Sequence, residues 1–429
     1  MEFKHIFEPI KIGPVEIRNR TYFSPCNVHF DEPDGTPGDR CICYYAARAK
    51  GGCGLIIYGA ILSSRKAAEQ QDFPVGNIYS LSHVPPLRDF ADTMHYFGAK
   101  VFVQLSPGFG RQHGRGEKPC WGASAIPPDR KLSEKNMIKT LKGLYIGPYP
   151  GKEHTEIPRE MTIKEIQDDV DDLARAAEIA ICAGIDGIEL HSCHGYLIDQ
   201  FISPRSNHRT DMYGGSLENR ARFLIEIIQK LKQQFGDAVP IMPRISSNHH
   251  VPGGCNADEM REVMVMAEQA GADAIELSDS AGFENMRYLL PDEEEIVDTH
   301  LIEEQGKKLK AKVKVPVLTP WFHNYEIAEK AVAEGETDMV GSGRQFIADP
   351  EFPNKLKAGK PEDIVKCKLD NQCIISIFSE GGCRCSVNPN MGRERFMPEY
   401  WPGAFSSKIP ESLRRWRVGA DEMKRRGWY

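Results

Sequence analysis

A short phrase recurs along this chain: the end of a helix, a glycine, a polar link and then an apolar strand. It occurs as "GGCGLIIYGA", "FGAKVFVQLS", "CAGIDGIELH" and "QAGADAIELS", and "AEGETDMVGSG" is a looser copy. Helical periodicity fills the stretches between the copies. Strands that alternate with helices in this way are typical of a parallel sheet covered by its helices. No other feature of the sequence restricts the fold as strongly.

One of the intervening helices has clear start and stop signals. Apolar side chains recur at helical spacing from Ile166 to Ala177, which predicts an amphipathic helix. Thr162 and Glu165 have the spacing of a capping box at its beginning. Gly184 supplies the stop at its end.

Three further apolar segments complete the set of strands, near Thr21–Pro25, Val239–Ile245 and Val315–Leu318. Together with the five copies of the phrase they make eight strand–helix units. Eight units in about 340 residues predict an α/β fold of the (βα)8 TIM-barrel class with insertions. A doubly wound sheet is the alternative, but it would normally carry a GxGxxG turn after its first strand, and the sequence has none.

Titratable side chains are concentrated after the fourth strand. The stretch "GIELHSCHGYLIDQFISP" begins as an apolar strand and then places two histidines, a cysteine and a tyrosine between His191 and Tyr196. Active sites of (βα)8 barrels lie at the carboxyl ends of the strands. Polar residues are also expected at the ends of other strands: Cys26, Asn27, Gln104 and Arg244. Their shared location predicts an active site at one rim of the barrel.

Composition excludes several classes of protein. The chain has 429 residues, of which 41% are hydrophobic, but no apolar run is long enough to span a membrane. Its first residues, "MEFKHIFEPIKIGPVEIRNR", lack the apolar core of a secretory signal, so we expect a soluble cytoplasmic protein. A formal net charge of −7 argues against a nucleic-acid partner.

The cysteines fall into two groups. Eight of the twelve are scattered through predicted strands, helices and loops, and we expect most of them to be free thiols. The other four lie between Cys367 and Cys385. Such a cluster can bind either zinc or an iron–sulfur cluster, and spacing alone leaves both open.

Several of these segments resemble one known family. The stretch "HSCHGYLIDQFISPRSNHRTDMYGGSLENRARF" resembles the signature of the old yellow enzyme family, whose members are FMN-dependent barrels. The segments "FEPIKIGPVEIRNRTYFSPCN", "VQL" and "GSGRQFIADP" fit the same family in the expected order. The resemblance covers residues 1 to about 355. It implies a (βα)8 barrel that binds FMN at its mouth.

The resemblance also implies which residues hold FMN. Pro25, Cys26 and Ala60 match positions that line the flavin ring, and Gln104 matches a donor to its pyrimidine edge. Arg244 matches the cation that stabilises negative charge on the flavin, and Gly343 and Arg344 match positions that bind its phosphate. The loop after the seventh strand departs from the family, because Trp321 replaces a small residue there and puts that half of the phosphate site in doubt. Asn27 stands where the amine dehydrogenases have a cysteine linked to the flavin, so non-covalent FMN is expected.

The resemblance assigns the chemistry to three residues. His191 and His194 match the pair that hydrogen-bonds the substrate carbonyl, and Tyr196 matches the proton donor. Glu284 falls roughly where the dienoyl-CoA reductases have a further histidine. Two histidines alone do not complete a metal site, and no third ligand is evident in the sequence.

The cysteine cluster resembles the [4Fe–4S] segment of an iron–sulfur subgroup that includes 2,4-dienoyl-CoA reductase and trimethylamine dehydrogenase. In "CKLDNQCIISIFSEGGCRCSVNP", Cys367, Cys373 and Cys385 match three of the four ligand positions, and Asp370 occupies the other. Either Asp370 binds one iron through oxygen, or Cys383 moves in as the fourth ligand. Sulfur is the usual ligand, whereas the register of the resemblance favours Asp370.

These matches divide the chain into three parts: an FMN-binding barrel (1–360), a cluster-binding segment (361–395) and a C-terminal tail (396–429). The tail is too short for a dinucleotide-binding domain. We therefore expect an external electron donor, either a flavoprotein subunit or a ferredoxin. The tail, rich in tryptophan and arginine, is expected either to dock that donor or to fold on the barrel or on a second copy of an oligomer. The long loop 112–158 is expected to cover the flavin.

The leading hypothesis is an FMN and [4Fe–4S] ene-reductase that acts on an unsaturated carbonyl compound or CoA thioester. The alternatives are an amine or ring dehydrogenase with the same cofactors, a non-catalytic electron-transfer subunit of a larger complex, and a zinc-binding barrel hydrolase.

Overall fold

Eight parallel strands close into a barrel, which confirms the predicted (βα)8 fold and excludes the doubly wound sheet. The structure, a computed structural model, describes residues 2–71, 75–112, 120–129, 157–285, 304–320 and 323–400. Its strands are β1 (Ile10–Ile12), β2 (Val15–Ile17), β3 (Thr21–Phe23), β4 (Leu55–Leu62), β5 (Lys100–Ser106), β6 (Trp121–Gly122), β7 (Arg159–Glu160), β8 (Gly187–Ser192), β9 (Ile241–Ser246), β10 (Ile275–Ser278), β11 (Val317–Thr319) and β12 (Met339–Ser342). The barrel consists of β3, β4, β5 and β8 to β12, and β12 pairs with β3 to close it.

Helices follow the barrel strands and cover the outside of the barrel. The α-helices are α1 (Asp39–Lys50), α2 (Arg65–Glu69), α3 (Val84–Tyr96), α4 (Ile163–Cys182), α5 (Leu197–Ile202), α6 (Leu217–Phe235), α7 (Ala257–Gln269), α8 (Lys307–Lys310), α9 (Tyr325–Ala333), α10 (Arg344–Ala348), α11 (Phe352–Lys357) and α12 (Gln372–Glu380). Short 3-10 helices span His5–Phe7, Leu81–His83, Gly110–Gln112, Gly282–Glu284, Pro361–Asp363, Glu394–Phe396 and Pro398–Tyr400.

Helix α4 forms where its sequence signals predict it. Thr162 and Glu165 make the predicted capping box, in which each side chain hydrogen-bonds the backbone of the other. Ile166 and Ala177 are buried against the barrel, as the helical spacing requires. Gly184 adopts a φ of +95°, a conformation that suits glycine and ends the helix before β8.

The amino-terminal end of the barrel is closed by an antiparallel hairpin of β1 and β2. Gly13 makes its turn with a φ of +53°. Ile12 and Ile17 of the hairpin are buried with an apolar layer inside the barrel. The interior members of that layer are Leu55, Ile57, Phe102, Met242, Leu318 and Met339. This layer makes the lower part of the barrel a solid apolar core.

The cysteine-rich segment packs beside the barrel through a buried ion pair. Arg48 of α1 and Glu394 lie 3.0 Å apart, and both are almost completely buried. All twelve cysteines of the chain are free thiols. In the part of the chain that the structure describes, no helix combines the length and apolar character needed to cross a membrane.

Candidate active site

The turn after β8 carries two of the side chains that the resemblance assigned to catalysis. His194 and Gly195 both adopt left-handed conformations, with φ values of +60° and +67°. The carboxylate of Asp199 holds this turn by accepting a hydrogen bond of 2.7 Å from the backbone N–H of Gly195. The tight turn brings Tyr196 back toward the end of the strand.

The structure brings the three predicted catalytic residues together. Nε2 of His191 lies 3.3 Å from Nδ1 of His194. The ring of Tyr196 lies 4.7 Å from that of His191, and its other side faces Phe109 at 5.2 Å. Nε2 of His194 lies 2.6 Å from the hydroxyl oxygen of Ser278, which orients the imidazole. The catalytic roles of the three residues stay predictions.

Both histidines are neutral at pH 7. Burial and the guanidinium of Arg244 lower the pKa of His191 to about 3. The pKa of His194 lies well below its usual value for the same two reasons, and the neighbouring His191 lowers it further. A neutral imidazole has one N–H, so each histidine can donate one hydrogen bond to a substrate oxygen.

The cysteine between the two histidines, to which the sequence analysis gave no role, lies beside the pair. The donor atoms of His191, Cys193 and His194 all lie within 4.8 Å of one another, and Cys193 Sγ is 3.4 Å from His194 Nδ1. The expectation that no third potential ligand is near the pair is therefore wrong, and the signal was its position in "HSCH". The positive charge of Arg244, which lowers the pKa of both histidines, also disfavours a dication there.

Five buried polar side chains inside the barrel form a second group near the histidine pair. Gln104 Nε2 donates to Glu189 at 2.7 Å, and the Tyr22 hydroxyl donates to Glu276 at 3.2 Å. Arg244 Nε lies 3.3 Å from Oε1 of Glu276. Both carboxyl groups are fully buried. We call these five residues the polar layer.

The sequence analysis missed the two glutamates of the polar layer and misplaced Gln104. Glu189 and Glu276 occupy the same place in two copies of the repeated phrase, "GIELH" and "AIELS", which was the available signal. Gln104 lies inside β5 rather than after it, and its amide already donates to Glu189. Its expected contact with a flavin stays a prediction.

The residues predicted to line the flavin surround the exit of β3. Ala60 is 9% exposed, and Pro25 and Cys26 are half-buried. Tyr45 donates to the backbone oxygen of Cys26 at 3.4 Å. Burial raises the pKa of the Cys26 thiol to about 12, so it is neutral. A Cβ atom on Gly343 would lie 2.7 Å from the Cys26 sulfur, so glycine is needed for this close approach.

These groups fit the binding of a flat cofactor with polar edges such as FMN. Within the described part of the chain, Nδ1 of His191 is buried and has no hydrogen-bond partner. A buried donor or acceptor of this kind is normally satisfied, so its presence at the barrel mouth is consistent with a polar ligand. The close approach of Gly343 to Cys26 shapes the opposite side of the mouth.

Arg344 connects the end of the last strand with the cysteine-rich segment. It begins α10, and its Nη1 donates to the side-chain oxygen of Asn371 at 3.2 Å. Its charge also lowers the pKa of Cys373, although less than a hydrogen bond from Cys383 does. The expected contact of Arg344 with a phosphate stays a prediction.

The segment predicted to bind a cluster places a backbone amide next to one of its sulfur atoms. The N–H of Leu369 donates to the Cys367 sulfur at 3.4 Å. Burial raises the pKa of Cys367, and the neighbouring Cys373 and Cys385 raise it further, so the three cysteines are close together. Amide-to-sulfur hydrogen bonds stabilise thiolates that bind iron. The donor set therefore fits an iron–sulfur cluster.

The two candidates for the fourth ligand have different surroundings. Asp370 is half-buried, and its carboxylate accepts a hydrogen bond of 3.2 Å from the N–H of Gln372 at the start of α12. Cys383 is 1% exposed, and its thiol hydrogen-bonds with Cys373. The register of the resemblance is the reason for preferring Asp370, and its role as a ligand stays a prediction.

Glu284 joins three loops at the rim of the barrel. Its carboxylate accepts hydrogen bonds from Arg111 at 2.6 Å and from Arg205 at 2.9 Å. It also accepts one from the backbone N–H of Asp129 at 2.5 Å. These partners come from the loops after the third and fourth barrel strands, so the carboxylate acts as an anchor between loops.

Three predicted features lie outside the described residues. They are Trp321, residues 113–119 and 130–156 of the long loop, and residues 401–429 of the tail with its tryptophans and arginines.

The chain is similar to known proteins in family, sequence and structure. A family model described as the NADH:flavin oxidoreductase / NADH oxidase family matches residues 5–363. NADH oxidase of Thermoanaerobacter brockii is 35% identical over 420 residues, covering 95% of this chain and 59% of that protein. Cinnamate reductase of Clostridium sporogenes is 32% identical over 416 residues, covering 92% and 59%.

One solved structure is also similar to this chain. The complex of 2-naphthoyl-CoA reductase with 2-naphthoyl-CoA matches with a TM-score of 0.77 at 29% identity, over 92% of this chain and 58% of that one. The chain thus spans less than two thirds of the length of each of these three relatives.

Proposed function

Because the chain belongs to the NADH:flavin oxidoreductase / NADH oxidase family, we propose that it is an FMN-dependent reductase of activated C=C bonds. Its substrate is an α,β-unsaturated carbonyl compound or a CoA thioester. Cinnamate and 2-naphthoyl-CoA, which are named for two of the similar proteins, both have a conjugated carbonyl group.

The observation that carries this proposal is the meeting of two neutral histidines and a tyrosine at the barrel mouth. His191 and His194 lie 3.3 Å apart, nitrogen to nitrogen, so both can reach one substrate oxygen. Two N–H donors on a carbonyl oxygen stabilise the negative charge that grows there when the alkene is reduced. Neutral imidazoles suit this role, because they donate a hydrogen bond without transferring their proton to the enolate oxygen.

Tyr196 is the acid in this proposal. A phenol keeps its proton at pH 7 and can still deliver it to a carbanion-like α-carbon. Its ring is held between those of His191 and Phe109, at 4.7 and 5.2 Å. This packing fixes the direction of the hydroxyl and limits the access of water on the side of Phe109.

FMN is held by Pro25, Cys26 and Ala60 along its ring, by Gln104 and Arg244 at its polar edge, and by Gly343 and Arg344 at its phosphate. Bound FMN would supply the hydride to the β-carbon of the substrate. Arg244 provides the positive charge at this site, and its raised pKa keeps it charged, because the acidic neighbours led by Glu276 outweigh the cost of burial.

The cysteine-rich segment holds a [4Fe–4S] cluster in this proposal, with Cys367, Asp370, Cys373 and Cys385 as ligands. The cluster would supply electrons to the flavin. The electron donor is a flavoprotein or a ferredoxin, whether it is a separate protein or another part of a longer polypeptide.

Anaerobic purification followed by a visible spectrum and by assays for FMN, iron and sulfide tests the cofactors. The protein is then reduced chemically and mixed with cinnamate, and the oxidised protein is mixed separately with dimethylglycine. Reoxidation by the enoate supports the proposal. Reduction by the amine would instead identify a dehydrogenase, and colourless protein with bound zinc would identify a hydrolase. If His191→Ala left turnover intact, the chain would be an electron-transfer subunit.

A further inference from the structure

Two fully buried carboxyl groups in the polar layer share a single buried cation. Glu189 and Glu276 have no exposed surface, and Arg244 is 8% exposed. Arg244 Nε lies 3.3 Å from Oε1 of Glu276. Burying two ionised carboxylates against one guanidinium would leave an unbalanced negative charge in the barrel, which is costly.

The hydrogen bonds of Glu189 and Glu276 leave one oxygen of each carboxyl group without a donor. Oε1 of Glu276 accepts from Tyr22, and Oε1 of Glu189 accepts from Gln104. Within the described part of the chain, Oε2 of each glutamate is buried and lacks a donor. The side chains of Glu189 and Glu276 are nevertheless within hydrogen-bonding reach of each other. A single proton between the two remaining oxygens would satisfy both.

We propose that Glu189 and Glu276 share one proton, carry one negative charge between them, and thereby set the reduction potential of FMN through Arg244. This inference rests on the proposed flavin site. The two glutamates are positioning residues, because they act on the cofactor through the guanidinium. The shared charge balances Arg244 in the oxidised protein and weakens the attraction of Arg244 for negative charge on the reduced cofactor.

The surroundings support one proton for the pair. Burial raises the pKa of Glu189 well above its usual value, and the nearby Glu276 raises it further. Besides Arg244, the charged or titratable groups near the pair are Tyr22 and the thiols of Cys26 and Cys193. Below it lies the apolar layer closed by the hairpin, which contains Leu55 and Met242. No second cation in the described residues is close enough to balance a second carboxylate.

Three variants of the full chain test the idea: Glu189→Gln, Glu276→Gln and the double variant. If the charge is shared, either remaining glutamate can take it over. Each single variant should therefore change the ratio of affinities for reduced and oxidised FMN by less than threefold, about 14 mV for a two-electron couple. The double variant removes the charge, and should favour reduced FMN by at least tenfold, about 30 mV. The measurement is an anaerobic redox titration followed by flavin absorbance.

Two other patterns would overturn the inference. Additive shifts in the single variants would mean that both glutamates are ionised. A full shift in one single variant, with none in the other, would mean that the charge belongs to one residue. Glu178→Gln, which changes an exposed glutamate of α4, is the matched control and should leave the potential unchanged.

A second measurement does not depend on the flavin or on the double variant. Infrared difference spectra of each single variant against the wild type should show loss of the carbonyl stretch of a protonated carboxyl group, because the remaining glutamate becomes the counter-ion of Arg244. An unchanged band in both single variants would contradict proton sharing. If the purified wild type contains no FMN, the proposed function fails, whereas the infrared result still decides whether the proton is shared.

Discussion

At the scale of single residues, the proposed reaction assigns hydrogen-bond donation and proton transfer to different side chains. The histidines are neutral because they are buried near Arg244, so they can polarise a carbonyl group without acting as acids. The ring of Tyr196 lies 4.7 Å from that of His191, measured between ring centres, and carries the hydroxyl proposed as the acid. Loss of its hydroxyl is therefore expected to affect reoxidation of the protein by the substrate and not reduction of the protein by a chemical donor.

We expect Tyr196→Phe to slow reoxidation of the reduced protein by an enoate by about 10²–10⁴-fold, the usual contribution of a general acid. Reduction of the protein by a chemical donor should be unchanged, because no substrate proton is involved. Stopped-flow absorbance measures both steps. Tyr96→Phe, at a partly exposed position on α3, is the control and should behave as the wild type. Equal rates for Tyr196→Phe and wild type would rule out Tyr196 as the acid.

The fourth cluster ligand can be decided by a pair of variants. Asp370 occupies a ligand position in the register of the resemblance, and its carboxylate lies just before α12, whereas Cys383 is outside that register. We therefore expect Asp370→Ala to lower the iron content below four per FMN and Cys383→Ser to retain four. Iron and sulfide assays on anaerobically purified protein measure this. The opposite pattern would make Cys383 the ligand.

At the scale of secondary-structure elements, helix α4 contains a buried carboxylate that works against folding. Asp169 is 3% exposed, and its Oδ2 has no hydrogen-bond partner among the described residues. Burial raises its pKa from 3.8 to about 7, although the charge of Lys66 opposes the shift. Because its folded pKa is above its unfolded pKa, the wild type loses stability as the pH rises from about 4 to about 7.

Asp169→Asn should remove this penalty. We expect almost no gain well below the unfolded pKa of 3.8, where the carboxyl group is protonated in both states. Above pH 7 we expect a gain of about 1–3 kcal/mol, the usual cost of an unsatisfied buried polar group. The midpoint of thermal unfolding, measured against pH for both proteins, tests this. Asp168→Asn, at a neighbouring exposed position, provides the comparison. A gain independent of pH would show that ionisation is not the cause.

The secondary-structure elements also show which features of the fold and the site the sequence could predict. Local signals such as the capping box of Thr162 and Glu165 act within a few residues, so the helices and strands were predictable, and the resemblance supplied the family. The approach of Glu189 to Glu276 depends on how distant strands align in the closed barrel. No periodicity in the sequence specifies that alignment. The guanidinium partners of Glu284 were missed for the same reason, because they lie on loops that are distant from it in the sequence.

At the scale of the whole molecule, one buried ion pair links the barrel to the end of the cysteine-rich segment. Arg48 donates to Glu394 at 3.0 Å and to the backbone oxygen of Tyr44 at 2.6 Å. Its guanidinium also lies over the ring of Tyr44, 3.5 Å from the ring centre. Since Glu394 follows the cysteines, this pair fixes the far end of the segment against α1. The geometry of the proposed cluster site therefore depends on a contact well removed from the cysteines.

Removing one partner of a buried ion pair costs about 3–5 kcal/mol, because the other charge stays buried without compensation. We therefore expect Glu394→Ala to increase hydrogen exchange in the peptides from Ile364 to Met391 and to lower the iron content, while FMN stays bound to the barrel. Lys164→Met breaks the exposed pair with Asp168 and should cost no more than about 0.5 kcal/mol with no change in exchange there. If Glu394→Ala lost FMN and iron together, the barrel and the segment would unfold as one unit. Loss of iron alone would show that the segment opens separately while the barrel stays closed.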